Sequence, residues 1–335
     1  MSKAAELAAL IANVNKGSSL ANKNFIINGN FAVWQRGTSF ADITSTAYTA
    51  DRWTCYASST SHTTTTRQSF SVGQTDVEGN PKYFLRLDNT PDADVAWMEL
   101  WQRIEDVTHF SDVTVTLSFW IKSNRASASG NNNFRFNQNF GSGGSTTVAT
   151  NSSTFEISTS WAKKTLTVNL PSISGKTVGS SSYLEVHLMQ GSSVTADTYY
   201  DIAQVQLEIG KATEFEYEPY ATTLAKCQRY YTRWQADSGY DGFAPGYWLV
   251  TTQFFGMYEL PVQMRQEPTI AIGGSFVIHS NGSDTTVGSL IVNRATPSNV
   301  QTYSDQSSHT GTAGNAGAYR TNNDNDAYVE FKAEL

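Results

Sequence analysis

Glu99 with Glu105, and Glu185 with Asp201, are the acidic pairs in this 335-residue chain whose type suits bond cleavage. Glycoside hydrolysis needs two carboxyl groups about 5–9 Å apart. No motif singles out either pair, and such acids are ordinarily solvated or ion-paired. The five histidines, His62, His109, His187, His279 and His309, stand far apart, and none falls two or four residues from another His or from a Cys. That spacing offers no zinc site. The chain has no Gly-x-Ser-x-Gly elbow, no phosphate loop ending in Gly-Lys-Ser/Thr and no dinucleotide fingerprint. "GSGGST" (Gly141 to Thr146) lacks a lysine and precedes no helical pattern, so it reads as a flexible turn. Asp88, Asp92 and Asp94 share the turn "DNTPDAD", where oxygen ligands could hold calcium, but the spacing matches no calcium loop and a solvated turn is expected. No catalytic residue, metal or cofactor is therefore assigned, and the chain is not expected to be an enzyme.

Stacking is the chemistry the chain does offer. Proteins hold sugars with flat aromatic rings beside polar groups that pair with hydroxyls. "RYYTRWQADSGYDGFAPGYWL" concentrates such rings, and Trp234, Tyr240, Phe243, Tyr247 and Trp248 are the candidate ligand contacts. Tyr240, Phe243 and Tyr247 fall in what reads as a Gly- and Pro-containing loop. The formal charge of −7 and pI near 5.3 argue against nucleic acid, which requires a cationic face. Cys55 and Cys227 are the only cysteines and make no disulfide framework. They could pair, but burial as small apolar residues is the expected state. The apolar run "LAALIANV" is too short for a signal peptide or a membrane span.

The elements that must position these rings are mostly strands. In "AAELAALIANVNKG", Leu7, Leu10, Ile11 and Val14 form one helical stripe ending near Gly17; a helix this short must pack on its own domain or on identical helices as a coiled coil. From Asn24, "NFIINGNFAVWQRG" reads as a first strand, with Phe25, Ile27 and Phe31 inward, Gly29 admitting a bulge or a close backbone approach, and Trp34 in the core. "VTVTLSFWIKS" alternates Val113, Val115, Leu117, Phe119 and Ile121 with polar residues and Trp120, the period of a half-buried strand. "KYFLRLDN", "WAKKTLTVNLP", "SYLEVHLMQ" and "YDIAQVQLEIG" repeat that pattern between turn-rich gaps, which together predict a jelly-roll sandwich. A boundary is expected near "ATEFEYEPYATT", followed by one helical turn passing into a strand at "LAKCQRYYTRW", and then a second β-sandwich. The polar, glycine-rich stretch Ser304 to Ala327 reads as an exposed loop, and Val329, Phe331 and Ala333 as one face of a final strand. The expected class is thus all-β: an N-terminal helical oligomerisation or attachment segment over 1–23, a jelly roll over 24–212 and a C-terminal β domain over 213–335. No 20–50-residue repeat supports a solenoid or a β-helix.

In order, "NFIINGNFAVWQRGTSF…YTADRW", "QRIEDV", "VTLSFWIKS", "NFRFNQNFGSGGS", "LPSISGKTVG" and "VQLEIGKATEFEYEPYATTLAKCQRYY" resemble motifs of bacteriophage tail-fibre or receptor-binding virion proteins. These carry a sandwich similar to carbohydrate-binding modules, and the likeness spans Asn24 to Tyr231. It implies a homotrimer located in the virion, an N-terminal segment contacting other virion proteins, and a distal C-terminal domain that engages a host-surface glycan or protein, without membrane insertion. In related modules an acid commonly follows the first-strand Phe; here Ala32 stands there, and Asp201 is followed by "IAQVQLE" instead of paired acids, so the resemblance carries over no calcium ligands. A head- or tail-attached spacer without a receptor role and a polysaccharide depolymerase are the alternatives.

Overall fold

The computed structural model describes Lys3 and residues 23–58, 63–89, 95–125, 132–150, 154–194, 197–305 and 311–335. The expected N-terminal helix, together with Asp92 and Asp94 of the acidic turn, His62 and His309, lies outside these residues. The chain divides into two compact units, Met1–Tyr220 and Ala221–Leu335.

Among its described residues unit one contains twelve strands: β1 (Ser39–Ile43), β2 (Ala47–Tyr48), β3 (Thr54–Ala57), β4 (Thr63–Ser69), β5 (Tyr83–Asn89), β6 (Val95–Glu105), β7 (Thr114–Ser123), β8 (Asn132–Asn139), β9 (Val148–Thr150), β10 (Ala162–Asn169), β11 (Tyr183–Val194) and β12 (Thr198–Ile209). They form two six-stranded antiparallel sheets, β1-β4-β5-β12-β7-β10 and β2-β3-β6-β11-β8-β9. From β5 to β8 and from β9 to β12 each successive strand changes sheet, as in a jelly roll. Val115, Leu117, Phe119 and Ile121 of β7 meet Leu100, Leu184, Val186, Phe134 and Phe136 of the second sheet in one core, as the alternation requires. Cys55 is buried there, and burial pushes its thiol up to about 12; Cys227 is buried in unit two.

The segment "NFIINGNFAVWQRG" is not a strand. Asn28 and Phe31 take positive φ, 60° and 52°, and its backbone is held largely by side chains. Ile27 N–H donates to Gln102 Oε1 (2.8 Å) while Gln102 Nε2 donates to the Ile27 carbonyl (2.9 Å). Asn28 Nδ2 donates to the Val33 and Asp51 carbonyls. Amide side chains therefore replace a ladder, and Ile26 rather than Ile27 is buried. Trp34 is buried as expected, its indole N–H donating to the Phe31 carbonyl. Gly29 makes the close approach foreseen for it: a Cβ there would lie 2.0 Å from the Val205 carbonyl oxygen, and Gly29's own carbonyl accepts from Val205 N–H at 2.9 Å. Gly29→Ala should cost about 1–3 kcal/mol in chemical unfolding; an unchanged midpoint would contradict this close packing.

"GSGGST" is pinned rather than loose. Ser142 and Ser180 exchange backbone hydrogen bonds, and a Cβ on Gly141 or Gly179 would strike the facing carbonyl at 2.1 Å.

Unit two opens on the helix α1 (Tyr220–Gln228). Its strands are β13 (Tyr231–Gln235), β14 (Gly242–Val250), β15 (Gln253–Glu259), β16 (Thr269–Gly273), β17 (Phe276–Ser280), β18 (Ser283–Val287), β19 (Ile291–Ala295), β20 (Asn299–Asp305), β21 (Ala316–Thr321) and β22 (Tyr328–Lys332). A three-stranded sheet, β13-β22-β16, and a seven-stranded sheet, β18-β17-β21-β14-β15-β20-β19, share a core that includes Trp248, Phe254, Phe276, Tyr319, Val329 and Phe331. Two expectations are corrected here. The stretch holding Phe243 and Tyr247 is the central strand β14, not a loop. The polar region after Ser304 contributes β21, paired on both sides, because Tyr319 buries its ring and its hydroxyl donates to the Phe254 carbonyl at 3.0 Å.

Candidate functional site

Of the rings singled out in the sequence, Trp234 and Phe243 come together, 4.9 Å between centroids, within the unit-two core. Trp248 is 2% exposed and packs edge-on to Phe254, so its faces offer no stacking surface. Tyr240 and Tyr247 are exposed, 55% and 44%, but separate. Tyr240 lies 5.2 Å from the Arg320 guanidinium, whereas Tyr247 heads a cross-strand row with Phe255 and Tyr303. The five do not form one patch.

A denser arrangement of polar and aromatic groups lies on the second sheet of unit one. On β6, β11 and β8, residues such as Leu100, Leu184, Val186, Phe134 and Phe136 point into the core, so their alternates face outward. Strand register places Trp101, His187 and Arg135 in one cross-strand row and Arg103, Glu185 and Asn137 in the next. The register shifts by one residue between His187 and Met189, and Glu99, two residues before Trp101 on the same face, also reaches His187.

Glu185 is the hub of this face. Its Oε1 accepts from His187 Nε2 (2.8 Å) and Asn137 Nδ2 (2.9 Å), and its Oε2 from Arg103 Nε (2.9 Å). On the far side of the imidazole, His187 Nδ1 lies 3.0 Å from Glu99 Oε2, an ion-pair distance off the line of an ideal hydrogen bond. Glu99 Oε1 in turn accepts from the Trp97 indole N–H. Trp101 stacks on the His187 ring, 5.5 Å between centroids, and the Arg103 guanidinium sits 4.7 Å above Tyr183. Arg52 supports the row from behind by donating to the Arg103 carbonyl at 2.6 Å.

Burial alone would raise the Glu185 carboxyl, but hydrogen bonds from His187, Asn137 and Arg103, with the charge on His187, outweigh it and bring it down to about 2. Burial alone would likewise lower the imidazole, yet its bonds to Glu185 and Glu99 and their charges raise it above 6.5. Glu185 is thus an anion near neutral pH, and the carboxylates beside both ring nitrogens favour the charged form of His187. A glycosidase's general acid must retain its proton at working pH, and Glu185 is shifted the opposite way. Its stabilisation is present above 4.5 and lost as pH falls from there through about 2; that of His187 is present below 6.5 and lost as pH rises through its raised folded value. Unfolding midpoints of unit one should therefore peak between about pH 4.5 and 6.5. Glu185→Gln should flatten the acid limb, and identical pH profiles for the two proteins would count against the network.

The acids paired along the chain are rearranged in space: Glu99 meets Glu185 across His187, while Asp201 belongs to the first sheet. There Asp201 is 0% exposed and bound bidentately by Arg86 (2.6 and 2.9 Å), with Lys122 at 3.6 Å, so both oxygens are already engaged. A separate groove of about 990 Å³ is lined by Arg67, Lys82, Tyr83, Lys163, Tyr217 and Tyr220 among others. Its cations are already engaged: Arg67 and Lys82 lie 4.6 and 5.0 Å from the Tyr83 ring centre, and Lys163 lies 4.0 Å from Glu78.

No family model matches the chain, and no curated protein matches it. Among solved structures it is similar to a putative sugar binding protein from Bacteroides thetaiotaomicron (13% identity over 56% of this chain and 100% of that one, TM-score 0.31). It is also similar to a family 11 carbohydrate-binding module of a Clostridium thermocellum cellulase (12%, 52% and 98%, TM-score 0.30). A third likeness is to the enzymatically active domain of bacteriophage CBA120 tailspike protein 4 (12%, 56% and 22%, TM-score 0.31). Scores at this level assign neither a family nor a ligand.

Proposed function

We propose that the chain is a glycan-binding structural component of a bacteriophage virion, acting as a homotrimeric tail fibre that touches a host-surface saccharide. The observation that carries the binding role is the outward network of Glu185, His187, Arg103 and Asn137, flanked by the half-buried rings of Trp97 and Tyr183. Fixed donors and acceptors pair with sugar hydroxyls, and neighbouring rings cover the apolar face of a pyranose. The virion setting rests on the ordered motifs from Asn24 to Tyr231. Three copies would add avidity to a weak single-site contact. The outer face of β14, β15 and β19, with exposed Tyr247, Leu249, Met257 and Ile291, supplies an apolar surface of the kind that association covers.

A glycan array probed with the full chain tests this role. Wild type should retain a defined set of saccharides, and Tyr183→Ala should lose them while melting normally. Absence of binding to any saccharide would leave the spacer reading. Release of reducing ends from a bound polysaccharide would establish the depolymerase instead.

A further inference from the structure

Around His187 the face gathers three cations, Arg103, Arg135 and the imidazolium, against two carboxylates, Glu99 and Glu185. Both carboxylates are committed to His187, and Arg103 is committed to Glu185. Arg135 is the remainder. Its Nη2 lies 3.3 Å from His187 Nε2, which already donates to Glu185, so two donors face each other and no carboxylate among the described residues pairs with the guanidinium. In the same cross-strand row, Arg135 Nε and Trp101 Nε1 are shielded from solvent and have no acceptor among the described residues. The face therefore holds a surplus of donors and of positive charge, on a chain whose overall charge is −7.

We infer that the saccharide taken by this face is acidic, and that Arg135 selects it by pairing with its anionic substituent. This rests on the glycan-binding role proposed above and specifies its ligand class. A planar guanidinium matches a carboxylate with two parallel N–H bonds and a sulfate equally well in charge, whereas a neutral hydroxyl would leave the cation half-buried and unpaired. The row geometry also explains why Arg135 is not neutralised internally. Its nearest cross-strand neighbour is a histidine held in the charged form by acids on its other sides.

Titration of the full chain with galacturonic acid trisaccharide, a sulfated galactose trisaccharide and neutral galactotriose decides the matter. At least one acidic ligand should bind about tenfold tighter than the neutral one, and which of the two it is identifies carboxylate or sulfate as the substituent. Arg135→Gln should bring the acidic ligand to within about twofold of the neutral one, and Arg135→Lys should keep part of the preference. An unaltered melting curve for Arg135→Gln separates loss of selection from loss of fold. Equal binding of acidic and neutral ligands, or an acidic preference that survives Arg135→Gln, overturns the inference while leaving saccharide binding intact. Failure of every saccharide, including a broad neutral set, overturns the underlying role as well.

Discussion

Glu185→Ala should abolish saccharide binding and lower the stability of unit one by about 3–5 kcal/mol, the range seen when one partner of a buried ion pair is removed. The reason is the number of groups that depend on it. His187, Asn137 and Arg103 all donate to its two oxygens, and the first of these is 3% exposed. Without the carboxylate, His187 retains only Glu99, and three cations crowd one face. Arg103 would also lose the bond that holds its guanidinium over Tyr183. Glu185→Gln keeps the shape and half the acceptor capacity, so it should fall between wild type and alanine in stability. Denaturant unfolding with saccharide titration checks both effects. A fully stable, fully binding Glu185→Ala protein would mean that the network is ornament to some other site.

Trp248→Ala should destabilise unit two by about 3–5 kcal/mol, the cost of emptying a large buried aromatic site. Its indole is packed against Phe254 and covered by the chain around Gly311, where a Cβ would lie 2.1 Å from the ring. The backbone closes the same contact, with Trp248 N–H donating to the Asn315 carbonyl at 3.0 Å and Gly314 N–H to the Trp248 carbonyl at 2.8 Å. The expected signature is a lowered unfolding transition for unit two with saccharide affinity in unit one unchanged. If the variant melted normally but lost ligand, the ring would be a contact residue after all, as its sequence neighbourhood suggested.

Alternation made much of the sandwich legible. Val115 to Ile121 of β7 and Val329 with Phe331 of β22 lie inward where a period of two places them. It failed where backbone bonds are satisfied by other means or where small residues hide a strand. Asn24 to Gly37 carries strand-like apolar residues, but Asn28 and Gln102 supply its hydrogen bonds. β14 contains Gly246 and Pro245, yet Pro245 sits in a central strand between a bulge and the Gly246–Gly256 pair. β21 reads as a polar tract because Tyr319 is its one large buried side chain.

The binding face left a fainter trace. Trp97, Glu99, Trp101 and Arg103 share one parity on β6, as do Glu185 with His187 on β11 and Arg135 with Asn137 on β8. Each strand alone looks like an ordinary half-solvated strand. What joins them is that β11 lies between β6 and β8, a pairing across some 50 to 80 residues that local pattern does not encode. The aromatic cluster near Trp248 is dense along the chain, yet three of its rings, Trp234, Phe243 and Trp248, serve the core.

Hydrogen–deuterium exchange of the full chain, with and without a saccharide it retains, tests the central claim most directly. Ligand should slow exchange over residues 97–105, 133–139 and 183–187, leaving 240–258 unaffected. Protection confined to 240–258, with the second sheet of unit one unchanged, would contradict the account.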